Sequence, residues 1–451
     1  MRLNTCTNAA RPKTIQHLQD LIASAISQGQ TVVPRGGGHN YDAALNSNGM
    51  ALDLSLFRRI LDWDPRRGII KVEPGVMVDE LWRTTIGSGW WPGVLPSRME
   101  STIGGCLALN IYGANAWHAG SIGEHVRAFD LLLPSGELVP VTLHDNDELF
   151  YSAIGGLGML GVITSITLQL HRIRSGKLLS RRRIAGSLAE MFEIFTDEAA
   201  REGYLMGWID GYLREGPIGS GIVICGQFIE EDDPAYLHPR KQGVPTSIAK
   251  IASSSILRHV LQPLFDLNIK ISNEMLFRPS MFDREGDAKH VPIAQFHFPF
   301  SPVDYCLRTM LSWGSYFFHP FVPARQAPDV FSRLLQLSQQ SGFVPLWCIL
   351  RQHRSDPFLL SYQVDGFSLE FAYRVNSDHE AHLVRLLREM RNQVIEAGGR
   401  LYLAQDRVLD AQTFRQMMGS EIIDRFSQIK AAYDPNTLFQ SNLFRRLFQI
   451  K

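Results

Sequence analysis

The stretch Pro34-Arg35-Gly36-Gly37-Gly38-His39-Asn40-Tyr41 places three consecutive glycines directly after a short apolar run, Thr31-Val32-Val33. The apolar run predicts a buried strand that delivers the chain into the glycine loop. Because glycine has no Cβ, the backbone N–H groups of such a loop are open to a ligand and together form a concave site for an anion such as phosphate. Glycines also cluster in turns that bind nothing, so this run alone leaves both interpretations open.

A second glycine-rich run, Ser101-Thr102-Ile103-Gly104-Gly105, follows an aromatic and proline-rich loop at Trp90 to Pro96. Further along, Asp147 to Tyr151 predicts a helical turn that ends in a third glycine-rich run, Gly155 to Gly161. Between these loops the chain alternates between short apolar strands, a hairpin and amphipathic helices. We therefore predict an α+β domain whose glycines are concentrated in loops.

The composition changes after Leu170, because the following residues have fewer glycine loops, more aromatic strands and longer amphipathic helices. We predict domain boundaries that give a first part at 1–174, a second domain at 175–397 and a C-terminal part at 398–451. The clearest predicted elements after the first boundary are the strands Tyr316–Phe318, Phe367–Tyr373 and Leu401–Ala404 and the helices Val330–Gln340, His382–Ala397 and Phe426–Tyr433.

The overall composition is typical of a globular protein, since 45% of the 451 residues are hydrophobic and can form a sizeable core. Lys and Arg together number 45, as do Asp and Glu, so no net charge draws the protein to nucleic acid or to an anionic membrane. One local basic run lies at 172–183. It either meets an acidic surface or forms a solvated strand or linker. We expect no nucleic-acid partner.

The cysteines are widely spaced and form neither a CxxC pair nor a metal-ligand pattern, so we predict neither a disulfide framework nor a metal site. The N-terminus lacks the apolar core of a signal peptide, and no window approaches the roughly 20 apolar residues of a spanning helix. We expect a soluble, cytoplasmic protein without a transmembrane segment. The five cysteines are Cys6, Cys106, Cys225, Cys306 and Cys348.

The glycine-rich runs together resemble a known family, the flavoproteins of the vanillyl-alcohol oxidase and p-cresol methylhydroxylase type. Arg35 to Asn40 is similar to the family's RGxGHS pyrophosphate loop, and Ser101 to Gly105 with Gly120 to Val126 looks like its second flavin loop. Asp147 to Thr164 resembles its DLFxAxxGGxGxLGIIT segment, and Asp434 to Phe439 resembles a closing DPxxxF motif. These motifs occur in the family's order and span nearly the whole chain.

Within that family the chain is most similar to the decaprenylphosphoryl-β-D-ribose 2-oxidase branch, through Gly399 to Asp406 and Ser441 to Leu447, and to the aldonolactone and alditol oxidase branches. The resemblance implies an α+β fold in which a two-lobed FAD-binding domain is built from both chain ends. Between them it implies an inserted substrate-binding or cap domain, an antiparallel sheet flanked by helices. That arrangement agrees with the composition change after Leu170.

The resemblance also implies which residues contact the cofactor, FAD. The glycine-loop backbone would grip the diphosphate, and the segment around Tyr112 would run along the flavin ring. His39 matches the position at which relatives bond covalently to FAD, so it either forms such a bond or simply hydrogen-bonds within the loop. Tyr41 either packs near the flavin edge or anchors the loop. The implied FAD-binding residues are Arg35, Gly36, Gly37, Gly38, His39, Asn40, Tyr41, Ser97, Thr102, Ile103, Gly104, Gly105, Leu109, Asn110, Ile111, Tyr112, Ile163 and Tyr402.

Two residues depart from the decaprenyl branch. Tyr112 stands where that branch has a histidine, and a phenol with an ordinary pKa near 10 is a poorer base at neutral pH than imidazole, although it can donate a hydrogen bond. Gln405 stands where the branch has a lysine over the flavin, so a cation is missing. These changes put the specific activity of that branch in doubt for this chain.

Three further candidates fall on strands that, in relatives, form the sheet over the flavin: His319, Arg351 and Glu370. By strand alternation Glu370 shares one side with Ser368. A lone carboxylate among apolar strand residues is costly unless it is paired or functional, so Glu370 is a candidate base with Arg351 as partner, or else a solvated strand glutamate. The candidate catalytic residues are Tyr112, Glu370, His319, Gln405 and Arg351.

The resemblance implies an FAD-dependent oxidoreductase, an oxidase or dehydrogenase of CH–OH donors, that oxidises C–OH or C–H in a small or lipid-linked metabolite. Hydride would pass to flavin N5, and O2 or a quinone-like acceptor would take the electrons. Two alternatives stay open: a C=C reductase or desaturase resembling the Δ24-sterol reductases, and a flavin-binding protein without turnover. The sequence gives no indication of the oligomeric state.

Overall fold

The chain folds as a mixture of helices and mainly antiparallel sheets, which confirms the predicted α+β class. The structure, a computed structural model, describes residues 9–40, 49–199, 203–211, 218–244, 287–298, 315–374 and 378–449. The strands are β1 (Ala9–Ala10), β2 (Thr31–Arg35), β3 (Gly49–Asp53), β4 (Ile60–Asp64), β5 (Ile69–Val72), β6 (Trp90–Trp91), β7 (Val126–Leu132), β8 (Leu138–Thr142), β9 (Val162–Gln169), β10 (His171–Arg172), β11 (Lys177–Ala185), β12 (Tyr204–Ile209), β13 (Gly221–Phe228), β14 (Lys289–Pro292), β15 (Ser315–Phe318), β16 (Pro320–Pro323), β17 (Trp347–His353), β18 (Gly366–Arg374) and β19 (Arg400–Leu401). The α-helices are α1 (Ile15–Ser27), α2 (Val78–Thr85), α3 (Ile103–Ala108), α4 (Ala116–Ala119), α5 (Asp147–Ala153), α6 (Leu188–Ala199), α7 (Ile293–His297), α8 (Ala327–Gln340), α9 (Glu380–Glu396), α10 (Ala411–Met418), α11 (Ser420–Tyr433) and α12 (Asn442–Phe448).

Three sheets form the N-terminal part, and the smallest is the two-stranded antiparallel pair of β6 with β10. A three-stranded parallel sheet has the order β1-β3-β2, and its strand β2 carries the buried Val32 and Val33 directly into the first glycine loop. A five-stranded antiparallel sheet has the order β4-β5-β9-β7-β8, in which β7 and β8 form the predicted hairpin. Helix α3 starts at the second glycine run, with Thr102 as its N-cap. The first glycine run is therefore a loop after a strand, whereas the second run enters the first turn of α3.

The inserted part is built on one large sheet with the strand order β14-β11-β13-β12-β17-β18-β16-β19, and β15 also pairs with β18. One face is covered by helices, as Phe367 of β18 packs edge-on against Phe192 of α6 with 4.7 Å between ring centroids. Because alternate strand residues point to opposite faces, Ser368 and Glu370 lie on the other face. Their register partners Arg351 and Ile349 on β17 share that face.

The C-terminal part returns to the N-terminal sheets. The Val32 N–H donates to the Leu438 carbonyl and the Gln440 N–H donates to the Val32 carbonyl, so the closing motif pairs alongside β2. Asp434 is the first residue of this motif, and its carboxylate accepts hydrogen bonds from the backbone N–H groups of Leu438 and Phe439. The physical role of the DPxxxF pattern is thus to fold the chain back onto the first sheet.

Three of the sequence expectations concern strands β10, β11 and β19. The predicted strand Leu401–Ala404 is wrong in extent, because β19 pairs with β16 only through Arg400 and Leu401 and the chain then enters a 3-10 turn at Leu403–Gln405. Strand β19 also follows the expected boundary at residue 397 yet still belongs to the large sheet. The basic run forms β10 and β11, where Arg183 pairs with Glu198 of α6 at 2.6 Å.

No described helix is long and apolar enough to cross a membrane. Among the same residues, Cys106, Cys225 and Cys348 are buried and form no disulfide bond. Cys6 and Cys306 lie outside the described residues.

Candidate active site

The two glycine loops meet at Thr102. Its hydroxyl oxygen accepts hydrogen bonds from the Gly37 N–H at 3.3 Å and from the Gly105 N–H at 3.4 Å. A Cβ built on Gly36 would overlap this same oxygen, so a side chain at position 36 would push the loops apart. Gly36 is therefore needed for the close approach between the two runs, which is a stronger constraint than a simple turn.

The hydrogen-bond donors that remain for a ligand lie mainly in the first loop. The Ile103 N–H donates to the Val76 carbonyl and the Gly104 N–H donates to the Pro74 carbonyl, so neither points at an open site. Within the described part of the chain, the N–H groups of Gly36 and Gly38 make no hydrogen bond. Gly38 has a φ of 68°, and a Cβ there would come within 2.7 Å of the Arg35 guanidinium. A side-chain-free loop with open N–H groups beside an arginine suits a diphosphate.

His39 lies at the end of this loop, and its Nε2–H donates to the Glu100 carbonyl at 3.2 Å. Burial lowers the pKa of His39, and the positive charge of Arg98 lowers it further. The imidazole is therefore neutral at neutral pH, as covalent attachment would require. Asn40 follows it in the described chain, whereas Tyr41 lies outside the described residues.

Asn110 positions the segment that carries Tyr112. Its backbone has a φ of 47°, in the left-handed region where asparagine is tolerated better than most residues. Its side chain accepts from the Gly123 N–H at 3.0 Å and donates to Asp356 at 2.9 Å, while its carbonyl accepts from the Tyr362 hydroxyl at 2.7 Å. Asn110 thus fastens this segment to the loop between β17 and β18. Leu109 and Ile111 on either side are buried.

Tyr112 and His319 meet at the centre of the site although they are 207 residues apart in the sequence. The Tyr112 hydroxyl lies 2.9 Å from His319 Nε2 and 3.3 Å from Nδ1. The ring of Tyr402 lies 5.9 Å from the Tyr112 ring, and the ring of Phe321 lies 5.4 Å from it. The polar pair is therefore enclosed by aromatic rings.

Burial favours the neutral form of both members of this pair, the protonated phenol of Tyr112 and the singly protonated imidazole of His319. Burial raises the pKa of the Tyr112 phenol, so the phenol keeps its proton at neutral pH. Burial and then the charge of Arg351 hold the pKa of His319 well below its ordinary value, with the nearby Gln405 side chain acting in the opposite direction. A protonated phenol thus faces a neutral imidazole that can accept its proton.

Arg351 and Glu370 form an ion pair beside Tyr112, with 3.1 Å between Arg351 Nη1 and Glu370 Oε2. The Glu370 side chain is only 14% exposed, so the interpretation as a solvated glutamate does not fit its surroundings. The Arg351 guanidinium carbon lies 5.7 Å from the Tyr112 ring centroid, close enough for a cation–π contact. The carboxylate is therefore paired, and the arginine links it to the central tyrosine.

Two residues near the pair carry no role in the sequence reasoning. Ser368 Oγ lies 3.2 Å from His319 Nε2 and 2.8 Å from His353 Nε2, so it joins two buried histidines. Ser368 was placed on the same side as Glu370 but given no role, and His353 was missed. The available signal was their spacing, because His353 follows Arg351 by two residues on a strand and therefore shares its face.

Three other predicted residues, Ile163, Ser97 and Gln405, have different surroundings. Ile163 is buried in β9, opposite Leu131 of β7, and Ser97 is exposed in the loop before the second glycine run. Gln405 follows Tyr402 in the 3-10 turn, and its buried Oε1 has no hydrogen-bond partner among the described residues. The described residues contain no cluster of His, Cys, Asp or Glu that could hold a metal ion.

Comparisons with known proteins also indicate an FAD-binding oxidoreductase. Residues 7–142 match the family described as "FAD binding domain". Over 93% of its length the chain is 27% identical to 89% of a decaprenylphosphoryl-β-D-ribose oxidase of Mycolicibacterium smegmatis. Two shorter matches cover about a third of the chain. A Δ(24)-sterol reductase of Pisum sativum is 32% identical over 34% of this chain and 27% of the reductase. The mitochondrial L-galactono-1,4-lactone dehydrogenase 2 of Oryza sativa subsp. japonica is 30% identical over 35% of this chain and 27% of the dehydrogenase. The chain therefore contains an FAD-binding domain of the p-cresol methylhydroxylase type and is an FAD-dependent oxidoreductase.

Proposed function

We propose that the protein oxidises a C–OH group of a small or lipid-linked metabolite. The observation that carries this proposal is the hydrogen-bonded pair of Tyr112 and His319, since alcohol oxidation requires a group that takes the hydroxyl proton as hydride leaves the same carbon. Bound FAD would supply the hydride acceptor. The first glycine loop would hold its diphosphate, with the N–H groups of Gly36 and Gly38 as the open donors.

The Tyr112 hydroxyl is the group that receives the substrate proton. Its own proton is already directed at His319, and the neutral imidazole accepts it as the substrate hydroxyl approaches. The phenol therefore acts as a bridge to the histidine, and no phenolate has to exist before substrate binds. This arrangement compensates for the low basicity of a buried tyrosine.

Arg351 and Glu370 orient the substrate and Tyr112. The arginine lies over the Tyr112 ring while its charge is balanced by Glu370, so it can donate a hydrogen bond to a substrate oxygen without leaving an unpaired buried cation. Gln405 contributes a neutral amide whose unpartnered Oε1 can accept a hydrogen bond from a further substrate hydroxyl. A polyol or sugar fits this set of donors and acceptors.

The electron acceptor in this proposal is O2 or a quinone-like molecule. Ile111, which is buried next to Tyr112, would shield the flavin edge from oxygen, and this favours a quinone-like acceptor over O2. The relatives named as an oxidase and as a dehydrogenase are compatible with either choice. Rates of flavin reoxidation in air and with a soluble quinone distinguish them.

The test is anaerobic reduction of the purified flavoprotein by alditols, aldonolactones and long-chain alkyl ribosides. We expect at least one class to bleach the flavin absorbance, and Tyr112→Phe to slow that reduction about 100-fold while FAD stays bound. Bleaching by NADPH with no response to any alcohol would instead identify a C=C reductase. An absence of bleaching with all of these compounds would indicate a flavin-binding protein without turnover.

A further inference from the structure

Ser368 occupies an unusual position between two histidines. Its hydroxyl oxygen lies within hydrogen-bond distance of the Nε2 atoms of both His319 and His353. All three side chains are buried, with exposed fractions of 4% or less. Because His319 also contacts the Tyr112 hydroxyl, four groups form a continuous chain in the order Tyr112, His319, Ser368, His353.

The Ser368 hydroxyl sets the direction of the hydrogen bonds along this row of four side chains. A serine hydroxyl has one proton to donate, so when it bridges two Nε2 atoms it donates to one and accepts from the other. One of the two neutral histidines is then protonated on Nε2 and the other is not. The chain therefore has two arrangements, which differ by the shift of protons along it.

The surroundings of His353 favour it as the far end. Gln363 Nε2 donates to Asp356 at 2.8 Å, which leaves Gln363 Oε1 as an acceptor. Among the described residues, both this oxygen and His353 Nδ1 are buried without a hydrogen-bond partner. Burial lowers the pKa of His353, followed by the effects of His319 and Arg351, whereas the nearby Gln363 side chain acts in the opposite direction. When His353 Nε2 gains a proton, its Nδ1–H would therefore lie near a carbonyl oxygen whose own amide group is held by a carboxylate.

We propose that Ser368 relays the substrate hydroxyl proton from the Tyr112–His319 pair to His353. This inference rests on the proposed alcohol oxidation. As the substrate O–H bond breaks, its electron pair forms the new C=O bond, and the hydride that leaves the carbon would pass to bound FAD. Tyr112 takes the proton and passes its own to His319 Nδ1, which lies 3.3 Å from the Tyr112 hydroxyl. The proton on His319 Nε2 moves to Ser368, and the Ser368 proton moves to His353 Nε2. The net change is one added proton on His353.

The relay moves the positive charge away from the substrate oxygen. A proton held on His319 would sit beside the substrate oxygen, and the charge of Arg351 opposes a proton on either histidine. Transfer to His353 moves the positive charge behind Ser368, toward the Gln363–Asp356 pair. Ser368 and His353 are thus positioning residues for the reaction, because neither has to touch the substrate.

The test compares Ser368→Ala with Ser368→Thr in the FAD-loaded protein, reduced anaerobically by the fastest compound among the alditols, aldonolactones and alkyl ribosides. We expect Ser368→Ala to slow flavin reduction about 10- to 100-fold with little change in the substrate concentration for half-maximal rate. The rate should vary with the D2O fraction along a curve in the wild type, because several protons move together, and linearly in Ser368→Ala. Ser368→Thr should restore both the rate and the curvature.

Ser338→Ala is the matched control, because Ser338 is also a buried serine that joins two groups, the Phe343 carbonyl and the Tyr373 hydroxyl, but it lies on α8. It should leave the rate and the D2O dependence unchanged. An independent readout is ¹⁵N NMR of histidine-labelled holoenzyme, in which His319 and His353 should have opposite Nε2 protonation in the wild type.

The possible results separate the relay from the alcohol oxidation on which it rests. An unchanged rate and D2O dependence in Ser368→Ala, or equal Nε2 protonation of the two histidines, would overturn the relay alone. A wild-type flavin that no alcohol reduces would overturn the proposed function and the relay with it.

Discussion

At the residue scale, Gly36 has a defined role: it leaves room for Thr102 of the second glycine loop. A methyl group at position 36 would overlap the Thr102 hydroxyl oxygen, which also accepts the Gly37 and Gly105 N–H groups. We expect Gly36→Ala to lower FAD retention strongly, because the loops can no longer close on the diphosphate. The measurement is the ratio of flavin to protein absorbance after gel filtration.

Two variants sharpen this prediction. Gly87→Ala is the control, since its nearest neighbour would be 3.8 Å from the added Cβ, and it should retain FAD like the wild type. In the double variant Gly36→Ala/Thr102→Ala the overlapping oxygen is gone, so part of the retention should return. Equal flavin content in Gly36→Ala and the wild type would show that the loops tolerate separation.

His39 is the second residue whose role can be decided directly. Its imidazole is neutral and lies at the end of the first glycine loop, as attachment to FAD requires. If it forms that bond, protein precipitated with acid should keep the yellow flavin, and His39→Asn should release it. A colourless wild-type pellet with free FAD in the supernatant would leave His39 as a hydrogen-bonding loop residue.

At the element scale, the closing motif is held to α11 by a buried ion pair. Lys430 Nζ donates to Asp434 at 2.5 Å and to the Phe439 carbonyl at 2.8 Å, and the Asp434 side chain is fully buried. Asp434 also accepts the N–H groups of Leu438 and Phe439. The pair therefore connects a helix to the segment that lies alongside β2.

Asp434→Ala should lower the free energy of unfolding by about 3–5 kcal/mol, because it leaves a buried lysine without its partner and two N–H groups without an acceptor. Asp424→Ala is the control, since it removes an exposed pair with Arg415 at 2.8 Å and should cost about 1 kcal/mol or less. Urea unfolding measures both. Equal losses in the two variants would mean that the closing motif is not a stability element.

The sequence could predict the elements better than the contacts between them. Periodicity located β15, β18, α8 and α9 to within a few residues, because each depends on a local pattern. The end of β19 was missed since strand pairing with β16, and not local propensity, decides where it stops. The glycine runs could be interpreted because a cluster of glycines is itself a local signal.

The whole molecule brings together residues that no local pattern connects. Tyr112 and His319 are 207 residues apart and their contact depends on how the large sheet lies over the Asn110 segment. Ser368 and His353 could be assigned to one face of that sheet by alternation, but only the strand register brings them within 2.8 Å. The part of the site that sequence reasoning missed is therefore the part that tertiary structure creates.

The contact between the N-terminal and inserted parts should make the protein sensitive to acid. His297 of α7 lies between Trp91 and Tyr204, with ring-centroid distances of 5.3 and 4.4 Å, and its Nδ1–H donates to the Ile293 carbonyl. Burial lowers its pKa from 6.5 to about 4, so the folded state binds fewer protons than the unfolded state between those pH values. Stability is therefore present above pH 6.5 and is lost as the pH falls toward 4.

From pH 7 to pH 5, His297 alone should lower the free energy of unfolding by about 2 kcal/mol, and the buried His319 and His353 act in the same direction. His297→Phe keeps an aromatic ring between Trp91 and Tyr204 but cannot titrate, so its stability should fall less over this range. His144→Phe, at an exposed histidine, should leave the pH dependence as in the wild type. If urea unfolding at pH 7, 6 and 5 gives parallel losses for all three proteins, the interface histidine does not control acid stability.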